Sequence, residues 1–318
     1  MWESICFSLM IDYLLVRGSI LKVISNTNRI SHFNINHKPV VSVELDEVFI
    51  LETVDCYNGQ IKDEKTLRKD IDSSQINLAT GPVYINGVYP GDTIAVEILD
   101  IQLLGNGIMP IAPGSGILRD YIEKYSTKII EIKKSKALFA ENLFLDLNPM
   151  IGIIGVTPDY GEVPCSIQGN HGGNLDTKEI TIGSNVYLPV FVEGALLAIG
   201  DLHACMGDGE ISGTGVEIAG KVKLKIKRIP ETTIELPVIT TDEEIIIVAS
   251  DKSFDMACKR VALIGINIIK RTLGLNFADS YRLMSAACDL RISQVVNQLL
   301  TVKIIIPKYI FNGKRIVF

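Results

Sequence analysis

No two of the six cysteines stand at CxxC spacing, which excludes a zinc ribbon and gives no sign of a small disulfide-stapled scaffold. Reduced thiols, and with them a cytoplasmic location, are the simpler expectation. Basic residues are outnumbered, 31 against 37 acids, for a net charge of -6. A surface that tracks phosphates needs the opposite balance, so nucleic acid is not an expected partner. The apolar N-terminal run is interrupted by Glu3, Asp12 and Arg17 and has no basic stretch before it. It therefore predicts neither a secretory leader nor a membrane span, and residues 1–24 read as a poorly ordered lead-in or an overextended start. A GxSxG elbow is missing, so a serine hydrolase of that type is not indicated. The segment Ala112 to Leu118, APGSGIL, lacks the Lys-Ser/Thr ending of a phosphate loop. Histidine occurs only four times.

What is present describes a folded protein with a large core. The chain has 318 residues, 47% of them hydrophobic and 21% charged, enough for two closely joined domains. Strand signals dominate to about residue 250. Ile94, Val96 and Ile98 alternate with their neighbours, and so do Val222, Leu224 and Ile226 with a row of lysines at 221, 223, 225 and 227. That lysine row reads as the solvated face of an edge or surface strand. Gly81-Pro82 reads as a turn. Beyond residue 250 the period changes. Ser253 can cap a helix over Phe254 to Leu273 that Gly274 stops, and Asn276 can cap a second through Ala287. The expected fold is mainly β, with β-sandwich-like domains and a C-terminal helical hairpin packed on a sheet. Residues 25–250 form the catalytic region and 251–318 a docked α/β element.

Chemistry concentrates between Gly169 and Glu217, which holds two of the histidines, a run of carboxylates and ten glycines. Glycine lets backbone approach a bound group, and clustered His, Asp and Glu hold metals or move protons. If Ile199 to His203 is a strand, Asp201 and His203 project from one face, and an extended chain after Gly207 repeats this with Asp208 and Glu210. HGGNLD adds His171, Asn174 and Asp176 from a glycine turn. His32 and Asp55, in an earlier stretch, are placed to complete the set. A mixed imidazole–carboxylate set suits zinc or another divalent ion, whereas acidic loops alone suit calcium. Two other readings remain open: acids that merely cap turns, and Cys165 or Cys205 acting as a nucleophile beside His171 or His203.

At FILETVDCYNGQ, TGPVYINGVYPGDTIAVEILDI, HGGNLD through GDGE and SAACDLRISQVVN, the chain resembles the acetamidase/formamidase family, over roughly residues 25 to 310. The resemblance implies hydrolysis of short amides to a carboxylate and ammonia, a β-sandwich fold, a metal (zinc before calcium) and a homodimer or higher homo-oligomer. It places Asp176, Asp201 and His203 in the site as ligands, with His32 and Asp55 beside them. Glu210, Asp208 and His171 become the catalytic candidates, and Asn174 and Gln294 the substrate-binding ones. Glu210 would take a proton from water and return it to the leaving nitrogen. Cys205-Met206 stands where relatives tend to show Ala-Gln, CSIQGN precedes HGGNLD where they carry a Pro/Arg turn, and Lys128 to Leu147 lacks their Trp. Those departures bear on substrate choice rather than reaction class. The rival from outside the enzymes is a β-rich binding module with calcium in its acidic loops.

Overall fold

Period-two alternation builds long strands here, and the lysine row shows how. The computed structural model describes residues 11–16 and 19–318. In it the row belongs to a strand spanning Glu217–Ile229, with Val222, Leu224 and Ile226 fully buried. This strand is interior, not an edge: it bonds Val48–Thr53 on one side and Thr93–Ile111 on the other. Three of the four lysines are offset by acids on those neighbours, Lys221 by Glu52 at 2.7 Å, Lys225 and Lys227 by Glu97 at 2.9 and 2.5 Å. Cross-strand pairs of this kind tolerate a charged row inside a sheet whose outer face is wet.

The strand that carries Ile94, Val96 and Ile98 runs from Thr93 to Ile111, nineteen residues, and joins distant parts of the sheet. Its first half pairs with Asn185–Pro189 and its second with Ser126–Lys133. The Leu197–His203 strand lies between Ala79–Ile85 and Met150–Gly155, and Gly172–Asn174 extends the latter. Gly81-Pro82 sits inside the Ala79–Ile85 strand rather than in a turn. Phe49, Leu51, Val222 and Leu224 meet Val83, Ile151, Ile154 and Ile199 in one core, so the sheet folds back on itself in sandwich fashion.

Both helices form where their caps predict. α1 spans Phe254–Leu273, with Ser253 Oγ accepting from the Met256 amide and Gly274 left-handed at its end. α2 spans Phe277–Ala287, with Asn276 accepting from the Asp279 amide at 2.9 Å. Ala257, Val261, Ile268 and Ile269 of α1 bury against Ile245, Ile247, Val302 and Ile304 of the strands Glu244–Asp251 and Leu300–Pro307. The fold is therefore mainly β with a C-terminal helical pair docked on the sheet.

Of the lead-in expected at residues 1–24, residues 1–10, 17 and 18 lie outside the described residues; Ser19–Ile24 runs parallel to Val48–Thr53. Among the described residues, no single helix is long and apolar enough to cross a membrane.

Candidate active site

Three backbone segments converge where the Leu197–His203 strand ends. Cross-strand pairing sets His203 directly opposite Glu217. On the other side, the register places Gly152 opposite Asp201, between the pairs Ile151↔Leu202 and Ile153↔Gly200. Only glycine fits at 152: a Cβ there would stand 2.6 Å from Asp201 Oδ2 and 2.7 Å from Asp176 Oδ1. Asp176, Asp201 and Glu210 all adopt left-handed backbone, at φ 42°, 56° and 46°. Left-handed non-glycine residues cost energy and persist where the surroundings enforce them, and here three aim at one point.

The result is a buried acid–imidazole cluster. Ligand atoms of Asp176, His203 and Glu210 lie within 4.8 Å of one another, as do those of Cys56, Asp201 and Glu217. His203 Nε2 joins the groups, 3.0 Å from Glu217 Oε2 and 3.7 Å from Asp201 Oδ1. Neither approach has hydrogen-bond geometry: Asp176 Oδ1, Asp201 Oδ1, Glu217 Oε2 and both His203 nitrogens are buried without a hydrogen-bond partner. Buried polar atoms are rarely left so. Buried imidazole, carboxylate and thiol groups that converge in this way fit a shared cation.

Electrostatics agree. Burial, with Glu210 and Asp201 adding repulsion, holds the Asp176 carboxyl well above the usual carboxylate range. Burial pushes Glu210 up to about 8 and Glu217 up to about 6. Burial opposes charge on His203, but Glu217 and Asp201 outweigh it and raise the imidazole well above its ordinary value. Burial would raise Asp201 too, and His203 beside it reverses that, leaving its carboxyl low. Four carboxylates around one imidazole leave excess negative charge out of water.

Of the ten residues expected in the site, Asp176, Asp201, His203, Glu210 and Asn174 come together. Asn174 is buried, with Oδ1 lacking a partner. The other five do not join them. Asp208 and Glu210 were expected side by side on extended chain, but Gly209 and Glu210 are left-handed and send them apart. Asp208 bonds the Lys303 ammonium at 2.6 Å and pairs with Lys178 at 3.1 Å. His171 is packed edge-on against Phe33 at 5.1 Å, and burial brings its pKa down to about 4. His32 stands beside that same Phe33 on the His32–Asn34 strand, its Nδ1 2.9 Å from Ser31 Oγ. Asp55 accepts from the Tyr57 and Gly59 amides, closing its own turn. The residue this turn delivers is the next one, Cys56.

Gln294 uses its whole amide within its own loop. Its Oε1 accepts from the Val296 and Asn297 amides, and its Nε2 donates to Leu299 O and Thr301 Oγ1. The loop so shaped presents Asn297, whose Nδ2 donates to Asp176 Oδ2 at 2.9 Å. Ser293 accepts from the Gly209 amide through its carbonyl and from Thr177 through its hydroxyl, tying both acid-bearing loops to the C-terminal segment.

Cys56, Asp201, Glu210 and Glu217 of the cluster line a chamber of about 190 Å³ together with Tyr57, Arg68, Asn77 and Ser115. Glu210 lines both this chamber and a larger groove of about 500 Å³ that includes Met109, Met206 and Ile211. Sequence reading missed Glu217, Cys56, Asn297 and Gly152. Glu217 had a usable signal, since it closes the same acid-rich segment; the others depend on pairings between distant strands and loops.

Fold and site together define a mainly β protein with an enclosed acid–imidazole cluster of metal-ligand composition. The chain belongs to the Acetamidase/Formamidase family, whose profile matches residues 24–165 and 161–313. It is similar to the crystal structure of an acetamidase from Bacillus halodurans, with 39% identity, a TM-score of 0.89 and coverage of 91% of this chain and 98% of that one. A predicted acetamidase/formamidase from Thermoanaerobacter tengcongensis is 38% identical, with a TM-score of 0.89 over 92% of this chain and 97% of that one. In sequence it is 27% identical to the formamidase of Methylophilus methylotrophus, over 59% of this chain and 60% of the relative. The chain spans about 60% of the length of the curated relatives it matches.

Proposed function

We propose that this chain hydrolyses short amides to a carboxylate and ammonia at the acid–imidazole cluster, with a divalent metal, zinc first, held there. The observation that carries this reading is the 3.0 Å approach of His203 Nε2 to Glu217 Oε2, without hydrogen-bond geometry, among buried carboxylates. Asp176 and His203, which converge with Glu210, and Asp201 and Glu217, which converge with the Cys56 thiol, would hold the metal, leaving Glu210 free. When bound, such an ion supplies polarisation of the amide oxygen and a more acidic water.

The chain's own residues supply the rest. Glu210 is the cluster acid that lines both cavities, which makes it the proton carrier. As the water oxygen bonds the carbonyl carbon, Glu210 takes a proton, and it returns that proton to the nitrogen as the C–N bond breaks. Amines leave poorly until protonated, so this return is the step that needs a placed acid. Asn174 Oδ1, buried and unpartnered, accepts an N–H of the substrate amide. Asn297 fixes the orientation of Asp176.

A cysteine nucleophile has less support. Cys56 donates to Asn77 Oδ1 at 2.8 Å, and burial with four neighbouring acids pushes its thiol well above the ordinary range. Burial pushes Cys165 up to about 12 and raises Cys205 as well. None of the three is a ready thiolate. The relatives' names, acetamidase and formamidase, support a small amide as substrate. The test is ammonia release from formamide, acetamide and a few longer amides by zinc-loaded protein. A protein that binds zinc and releases ammonia from none of them would be a binding module instead.

A further inference from the structure

The lining of the chamber carries both signs of charge. Asp201, Glu210 and Glu217 share it with Arg68, Asn77 and Ser115. Arg68 is the one cation on this lining. Among the described residues its guanidinium has no carboxylate within 4.0 Å; it reaches Ser73 Oγ at 3.3 Å and lies 5.8 Å over the Tyr57 ring. An arginine beside three carboxylates that bonds none of them has its fork available for something else. Asn77 is poised similarly: its Oδ1 accepts the Cys56 thiol, and its Nδ2 has no partner among the described residues. The lining therefore offers free donors from Arg68 and Asn77, of the kind that bind a carboxylate.

Space points the same way. A chamber of about 190 Å³ holds about six water-sized groups at roughly 30 Å³ each. That is more than acetamide fills when its amide sits at Glu210 and Asn174. Arg68 is the cation on the lining of the space that remains.

We infer that Arg68 reads a carboxylate on the substrate, so that this chain prefers short monoamides of dicarboxylic acids to neutral alkyl amides of the same size. This rests on the amide-hydrolysis reading and names its substrate class. Arg68 acts on specificity, through the substrate's far end, and takes no part in moving protons.

Malonamate and isovaleramide share a shape and differ in charge, which isolates the effect. Zinc-loaded wild-type protein is expected to favour malonamate in kcat/KM, and Arg68→Gln to lower the malonamate-to-isovaleramide ratio about tenfold or more, mostly through KM, the size of one charged hydrogen bond. Arg68→Lys, which keeps charge without the fork, is expected to lie between. Malonamate binding, measured by calorimetry on Glu210→Gln protein with and without Arg68→Gln, reads the same contact without turnover and is expected to weaken about tenfold. If amides are hydrolysed and the ratio is indifferent to Arg68, the Arg68 assignment is wrong while hydrolysis stands. If no amide is hydrolysed but malonamate binding still depends on Arg68, hydrolysis fails and the anion site stands. If neither depends on Arg68, the inference is overturned.

Discussion

At the scale of single residues, the site is a problem in burying charge. Glu210 is mostly buried, yet its position on the walls of both cavities gives it access to water and substrate. Replacing it with Gln keeps the shape and removes the proton carrier. Steady-state ammonia release is expected to show kcat lowered by about 100-fold or more, with zinc still bound. The metal-free protein should also carry a pH signature. Glu210, at about 8, and Glu217, at about 6, both stand above the ordinary 4.5, so folding favours their protonated forms. Their contribution to stability is complete below about pH 4.5 and is lost as pH rises towards 8. Thermal melts of chelated protein are expected to fall through that window, and added zinc to restore the loss, since ligands bind metal deprotonated. A chelated protein that gains stability from these groups between pH 5 and 8 would contradict the account.

At the scale of elements, the C-terminal segment holds the site loops in place. Lys303 is fully buried in the Leu300–Pro307 strand, with its ammonium on Glu179 at 2.7 and 2.9 Å and on Asp208 at 2.6 Å. This explains why Asp208 leaves the cluster that its spacing from Glu210 suggested. It anchors the turn, and the turn carries Glu210. Lys303→Met would strand two carboxylates, costing about 3 kcal/mol, the lower end of the range for a broken buried pair because Asp208 is partly exposed. Lys178→Ala, on the wetter side of Asp208, should cost about 1 kcal/mol or less. Denaturant unfolding of the two variants checks the contrast, and equal losses would refute it.

Legibility followed the range of the interactions. α1 and α2 were readable to the residue because Ser253, Gly274 and Asn276 act within one turn of where they sit. The Glu217–Ile229 strand was readable as a strand, but its neighbours were not, so an interior strand passed for an edge. For the site, Asp201 and His203 were legible because they share a strand. Glu217 opposite His203 and Gly152 opposite Asp201 belong to cross-strand register, which a single sequence does not display. His171 and His32 drew attention as scarce imidazoles, and packing around Phe33 placed them elsewhere.

At the scale of the whole molecule, the cluster depends on distant parts of the chain meeting. Cys56, Gly152, Asp176, the 201–217 stretch and Asn297 come from five separate regions, and the folded-over sheet is what brings them to one cluster. A site built this way holds no charge balance of its own, so its ion and its activity should vanish together. The direct measurement is to strip metal by chelation, verify its removal by elemental analysis, and follow ammonia release from a short amide as zinc is returned stepwise. The account predicts negligible release from stripped protein, recovery in proportion to zinc bound, and no comparable recovery in His203→Ala. Undiminished release from protein shown to be free of metal would contradict it.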